Sequence, residues 1–283
     1  MTTYGENTLS YEPGIYDGVS NADYHRDEAL GSTSLKTLAT KTPAHYQHDK
    51  ANPKSSAAFD LGTAAHSLIL EGDASGVVVI DVEAKRGKAW TENADYAAAN
   101  GKIALTSKEW AQVTDMRDAV MAHPLARAAL EGGEPEQSVF WSHETSTPLK
   151  CRPDMLHRGG KIGNLIVDLK TVQSASPDEF ARSAATFGYH IQQAHYQAGL
   201  KAATGEDFDF IFVLIEKSAP YLPAVVQLDA EDVARGAELA ERSIRIFNEC
   251  SKSGRWPGYE SSAPIELPRW ARYQEEEILD ARL

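Results

Sequence analysis

The segment "CRPDMLHRGGKIGNLIVDLKT", residues 151–171, decides the fold of this 283-residue chain. Two apolar runs flank a glycine pair, Gly159 and Gly160, which supplies the turn of a β-hairpin. Side chains alternate along a strand, so Asp168 and Lys170 share one face while Val167 and Leu169 take the other. Arg152 and Asp154 likewise share a face of the preceding strand. Antiparallel pairing brings Asp154, Asp168 and Lys170 together at one end of a sheet. Two facing carboxylates repel, and each raises the other's pKa unless a cation sits between them. A hard divalent ion with oxygen ligands relieves that repulsion. An Asp–Lys ion pair on a half-exposed strand is the plainer reading of D-x-K alone. The second carboxylate, 14 residues upstream in the hairpin, puts a metal-dependent hydrolytic site on equal terms with it.

Working outward, "QSVFWS" (137–142), "PLKCRPDMLH" (148–157) and "GNLIVDLKTV" (163–172) are each expected to be one strand. "SPDEFARSAATFG" is a helix with Ser176 as N-cap, Pro177 in the first turn and Gly188 past the end. "YHIQQAHYQAGLKAATG" is a second helix closed by Gly205, followed by strands over 208–217 and 221–229 and a long helix over 230–254. Upstream, the first thirty residues read as irregular, anchored by Tyr11, Tyr16 and Tyr24. A helix starts in "GSTSLKTLA", capped by Ser32 or Ser34. "TPAHYQHDKANPKSS" reads as a break, partly helical over 45–50. A helix covers 57–72, a strand 77–81, and a helix from about Ser107 is interrupted at Pro124. The simplest organisation is one α/β domain over 1–283: a mainly helical part (1–130), a core (131–260) and a tail (261–283).

Composition narrows the function. A hydrophobic content of 42% and a charged content of 24% are those of a globular chain. The N-terminus lacks an apolar core and no run is long enough to span a bilayer, so a cytoplasmic protein without membrane contact is expected. Cys151 and Cys250 are the only cysteines, too few for a disulfide framework or a four-cysteine cluster. The net charge of −13 argues against a general polyanion-binding surface. Positive charge is local instead, at Lys36, Lys41, Lys50 and Lys54 and again at Lys85, Arg86 and Lys88.

Two helical features join the hairpin. Gln192 and Tyr196 lie one turn apart and project from one helix face, where they suit phosphate oxygens or metal ligands, or equally a surface glutamine beside a half-buried tyrosine. His66 sits in the apolar setting of "LGTAAHSLIL", as a core histidine or as a ligand.

Asp154, the Asp168–Leu169–Lys170 triplet and Gln192-x-x-x-Tyr196 together resemble the PD-(D/E)XK nuclease superfamily. The histidine on an upstream helix points to its branch of RecB-like and phage-type exonucleases, most closely the RecE (exonuclease VIII) type of nuclease domain. "SNADYHRDEALGSTSLKTLATKTPAHY", "FDLGTAAHSLILEG", "CRPDM", "IVDLKT", "YHIQQAHYQAG" and "LPRWA" occur in that order across 20–271. The resemblance implies a nuclease core with a mixed central sheet flanked by helices, and a helical N-terminal elaboration. It further implies Mg²⁺- or Mn²⁺-dependent 5′-to-3′ hydrolysis of linear double-stranded DNA, leaving 3′ single-stranded tails for strand annealing. Double-stranded DNA ends, a RecT-type annealing protein and a ring-shaped homo-oligomer (trimer or tetramer) in a bacterial host cytoplasm are the implied partners and setting. By position, Asp154, Asp168, His66 and the Leu169 carbonyl match the metal ligands. Lys170 matches the catalytic lysine, with Gln192 and Tyr196 in support. Where the family often carries an acidic residue after the glutamine, this chain has Gln193, which receives no role. Arg152 is the candidate grip on a phosphate. Ser32 and Ser34, at a helix start, suit a 5′-terminal phosphate or simple capping. An endonuclease of restriction or repair type and a catalytically silent DNA-end-binding protein are the competing expectations.

Overall fold

The computed structural model describes residues 10–52, 57–259 and 264–281, with the backbone alone for 57–60. Lys54 and, of the expected tail, 261–263 and 282–283 lie outside the described residues. In the first half the chain runs through β1 (Gly14–Tyr16), α1 (Asn21–Arg26), α2 (Ser32–Thr40), α3 (Pro43–Ala51) and α4 (Ala57–Leu70). It continues with β2 (Val77–Ile80), α5 (Lys88–Ala99), β3 (Ile103–Thr106), α6 (Ser107–Ala122) and α7 (Pro124–Leu130). The second half comprises β4 (Glu134–Pro135), β5 (Ser138–Ser142), β6 (Pro148–Cys151), β7 (Met155–His157) and β8 (Leu165–Val172). It ends with α8 (Pro177–Phe187), α9 (Tyr189–Thr204), β9 (Asp209–Glu216), β10 (Pro223–Val226), α10 (Ala230–Ser253) and α11 (Arg269–Asp280).

β8, which carries the D-L-K triplet, is the middle strand of a five-stranded sheet ordered β10-β9-β8-β7-β4. It runs parallel to β9 and antiparallel to β7, so the sheet is mixed, as expected. The parallel pair needs a long crossover, which α8 and α9 provide. Alternation along β8 feeds two separate cores. Ile166 and Val172 join Phe210, Phe212 and Leu214 against residues of α2, α9 and α10. Val167 and Leu169 join Val213 and Ile215 against residues of α4, α6 and α7. Helices thus cover both faces, which is why β8 and β9 read as near-continuous apolar runs.

The expected strand 148–157 is corrected to two strands in two different sheets. β6 pairs with β5 in a three-stranded sheet ordered β1-β5-β6, whereas β7 pairs with β8. Pro153 divides them, because it has no N–H to give a ladder and restricts the residue before it. Arg152 and Asp154 therefore stand at a corner between sheets, not on one strand face. The helix cap is corrected as well: Gly31, not Ser32 or Ser34, is the N-cap of α2, and it caps through no side chain. Leu30 bridges to the small sheet, with Lys150 N–H donating to the Leu30 carbonyl at 3.0 Å, so the chain enters the helix straight from an extended pairing. Pro43 begins α3 rather than breaking a helix, as the first helical position allows. The expected basic loop is partly α5, and β1, α1 and β3 add regular structure where none was read. The three tyrosine anchors do converge. Tyr11 stacks on Phe140 of β5 at 4.4 Å, with Tyr16 and Tyr24 at 5.9 and 6.3 Å from the same ring.

One helix contact is set by glycine. A Cβ at Gly236 in α10 would overlap the His190 carbonyl of α9, backbone that cannot swing aside. Gly236→Ala should therefore destabilise the fold by about 2 kcal/mol or more, read as a fall in the thermal unfolding midpoint. No helix among the described residues is long and apolar enough to cross a membrane.

Candidate active site

The β7–β8 register pairs Met155 with Val167, so one step further along Asp154 stands across from Asp168. The Leu169 backbone N–H donates to Asp154 Oδ2 at 2.6 Å, fixing that carboxylate over the triplet. His66, from α4, brings Nδ1 to 3.7 Å from the same oxygen, and its ring borders the Leu169 backbone. Asp168 is held from both sides: Gln192 of α9 donates to Oδ1 at 2.5 Å, and Lys170 Nζ lies 2.5 Å from Oδ2. The structure thus brings His66, Asp154, Asp168, Leu169, Lys170 and Gln192 to one place.

Burial and then the Asp168 carboxylate push the Asp154 pKa well up. Burial alone would lower that of Lys170, but Asp168 and Asp154 outweigh it and hold the ammonium above its ordinary value. Burial, then the Lys170 charge, drives His66 down to about 4, so near pH 7 it is a neutral imidazole with a lone pair to give. Asp168 Oδ2 is shielded from solvent, and the Lys170 ammonium is drawn against it. A buried carboxylate, a second carboxylate beside it pushed toward protonation and a neutral imidazole form a donor set that a divalent cation satisfies. Its holders would be Asp154, Asp168, His66 and the Leu169 carbonyl. A tighter cluster exists elsewhere, where ligand atoms of His143, Glu144 and Glu241 lie within 4.8 Å of one another. Glu241 there already bonds His143 at 2.8 Å and Arg245 at 2.6 Å, and none of the three lines the cleft.

Of the constellation, His66, Leu169 and Lys170 line the floor of a cleft of about 1310 Å³, and Asp154, Asp168 and Gln192 are held behind them. Lys36 of α2 and Lys41 just past its end stand on one wall, α4 contributes Gly62 and His66 to another, and α8 contributes Ser183 and Phe187 to a third. A smaller hollow of about 460 Å³ adjoins it, lined by Ser32, Ser34, Lys150 and Tyr196, with Glu136 and Arg152 common to both. Tyr196 does not join the carboxylates as its partner Gln192 does. Its ring packs near Phe210 and His195 and borders the smaller hollow. Neither Ser32 nor Ser34 spends its hydroxyl on capping, and both reach that hollow. Most of the Arg152 donors are committed: Nε and Nη2 bond Ser138 Oγ at 2.9 and 2.7 Å, Nη2 bonds the Val19 carbonyl at 2.9 Å, and the guanidinium stacks 4.0 Å from the Tyr24 ring. Of the second basic group, Lys85 pairs with Glu109 at 2.9 Å, and none of its members lines the cleft.

Sequence reasoning missed Glu136. Its backbone has φ 50, uncommon for a residue with a side chain and of interest near functional sites. Its N–H donates to the Asp154 carbonyl at 3.2 Å. Burial, then repulsion from Glu71 and Asp168, outweighs the attraction of Arg152 and raises its pKa to about 7. The only trace in the sequence is "GGEPEQS" just before a strand, which reads as an ordinary turn.

A family model described as "PDDEXK-like domain of unknown function (DUF3799)" matches residues 31–267. The chain belongs to this PDDEXK-like family. The matched span contains the whole constellation, from His66 to Gln192. Among solved structures, a candidate exonuclease from Eubacterium rectale is similar at 16% identity and a TM-score of 0.58, covering 95% of this chain and 100% of that one. That likeness bears on the fold. A phage-related exonuclease from Haemophilus somnus 129PT is similar at 13% identity and a TM-score of 0.32, covering 80% of this chain and 96% of the other. No curated protein matches the sequence significantly. As a PDDEXK-like domain the chain has a nuclease-type fold, and its candidate site has a donor set suited to a divalent metal ion.

Proposed function

We propose that this PDDEXK-like protein is a Mg²⁺-dependent deoxyribonuclease that degrades one strand of linear double-stranded DNA from its 5′ end, leaving 3′ single-stranded tails for recombination by strand annealing. One observation carries the reading. Asp154 and Asp168 face each other across the hairpin, with His66 and Lys170 beside them on the floor of an open cleft. Such a cation, when bound, neutralises phosphate charge and lowers the pKa of water; Mn²⁺ suits the same oxygen and imidazole donors. Gln192 keeps Asp168 in one rotamer, and the Leu169 N–H does the same for Asp154. Lys170, with Nζ 2.5 Å from Asp168 and on the cleft floor, is placed to orient the attacking water and, as an ammonium, to offset charge that grows on the scissile phosphate.

The smaller hollow suits a terminal phosphate. The free N–H groups at the start of α2 and the unspent hydroxyls of Ser32 and Ser34 are its donors, with Lys150, already bonded to the Tyr24 and Asp27 carbonyls, and Arg152 lending positive charge nearby. Tyr196 takes a place there rather than at the metal. The proposal extends to a ring-shaped homo-oligomer, a trimer or tetramer, which hands its product strand to a RecT-type annealing protein in a bacterial cytoplasm. That part rests on the order of motifs along the chain. A 5′-phosphorylated linear duplex should be digested with Mg²⁺ or Mn²⁺ while closed circular DNA survives, and Ser32→Ala/Ser34→Ala should erase most of the preference for 5′-phosphate over 5′-hydroxyl ends. Cutting of closed circles at a comparable rate would favour the endonuclease reading. Metal-independent end binding without hydrolysis would favour a silent end-binding protein.

A further inference from the structure

Phe187 is the last residue of α8, 57% exposed, and it lines the catalytic cleft instead of packing into a core. Its ring lies 5.8 Å from that of Tyr189, tilted by 33°. Tyr189 is itself backed by Phe180 at 5.8 Å and Phe212 at 5.9 Å, so the outer aromatic rests on a fixed stack rooted in the sheet. Two ammonium groups flank the inner ring: Lys170 Nζ at 4.9 Å and Lys36 Nζ at 5.8 Å from its centroid. Among the described residues Lys36 forms no ion pair, although it is half-buried beside the candidate site. Gly188 makes the arrangement possible. Its left-handed φ of 65 turns α8 directly into α9 and sets both aromatics on the cleft side. A Cβ there would come within 3.1 Å of the Lys36 stem.

An apolar ring face with a free cation one step inward is a receptor for a nucleotide. A base of any identity stacks on the ring, and the ammonium takes its phosphate. We propose that Phe187 and Lys36 form a nucleotide subsite beside the scissile position, holding one unstacked or terminal base against Phe187 and its phosphate against Lys36. This assignment rests on the nuclease reading and adds to it the positioning residues that set the DNA end over Lys170. Phenylalanine has no polar edge with which to read a base, so the subsite grips without selecting sequence.

The test is a cycle between ring and base. Linear 5′-phosphorylated duplexes carrying a single abasic nucleotide at each of the first few positions of either strand are bound in Ca²⁺, to hold hydrolysis back, and affinity is read by fluorescence anisotropy. With wild-type protein, one position should weaken binding about tenfold when its base is removed. With Phe187→Ala the same removal should cost nothing further, and Phe187→Trp should restore the penalty. Lys36→Gln should lower the slope of log affinity against log salt by about one. In hydrolysis with Mg²⁺, Phe187→Ala should raise KM about tenfold and leave kcat within about twofold. If every abasic position costs the same in wild type and Phe187→Ala, the subsite is overturned while the nuclease reading stands. If wild type binds with the expected coupling but hydrolyses neither linear nor circular DNA in Mg²⁺ or Mn²⁺, the nuclease reading fails instead.

Discussion

Lys170→Ala should lower the rate of duplex hydrolysis by about 10³-fold, with a much smaller effect on DNA binding. The ammonium lies 2.5 Å from Asp168 and stands beside the expected phosphate position, so its loss falls on the transition state more than on the ground state. It also leaves a buried carboxylate without its partner, which costs about 3 kcal/mol in such settings. The comparison therefore belongs at a temperature where circular dichroism shows both proteins folded. Lys170→Arg should keep the fold and recover little rate, because a planar guanidinium does not place its charge where the compact ammonium did. Equal digestion of 5′-phosphorylated linear DNA by wild type and Lys170→Ala would remove the proposed site.

Asp154→Asn should raise the unfolding temperature of the metal-free protein while abolishing the rise that Mg²⁺ or Mn²⁺ produces in wild type. The sign follows from the raised pKa of Asp154. An acid whose folded pKa lies above its unfolded value, near 3.9, contributes stability below that unfolded value. The contribution is lost as pH rises through the folded pKa. At neutral pH, well above the unfolded value, the metal-free protein carries this penalty. Asparagine removes it and still accepts from the Leu169 N–H through its amide oxygen. The gain should amount to several degrees, at about 2–4 °C per kcal/mol for a chain of this size class. It should shrink as pH is lowered and the wild-type carboxyl takes up a proton. Wild type should recover the difference on adding metal, by mass action on the folded state. A variant that is less stable without metal, and that keeps the full metal-induced shift, would show that these carboxylates are not the ligands.

The site was legible in the sequence where local pattern and chain geometry coincide. Asp154, Asp168 and Lys170 followed from a glycine turn and a two-residue alternation, and the cross-strand register agrees with both. Gln192 followed from helical spacing. His66 could be placed only through the order of motifs along the chain, since nothing local says that α4 passes over the hairpin. Tyr196 lies on the same helix as Gln192, yet one turn further along it borders another hollow while Gln192 reaches Asp168. The strand over 148–157 looked continuous because apolar alternation carries across Pro153, and alternation does not reveal which sheet a strand joins. Glu136 was invisible for a related reason. Its importance comes from an unusual backbone angle and from contact with Asp154, and neither leaves a residue pattern.

The corner at Arg152–Asp154 has a mechanical consequence. Asp154 belongs to neither sheet, so the small sheet acts as an abutment for its backbone while the Leu169 N–H holds its carboxylate. That abutment is fixed by the tyrosines gathered on Phe140 and by the Arg152 hydrogen bonds to Ser138 and Val19. None of the tyrosines on Phe140 is a candidate ligand. On the proposed reading, the N-terminal segment is expected to tune metal affinity: slack introduced at Tyr11 or Tyr16 should misplace the Asp154 backbone.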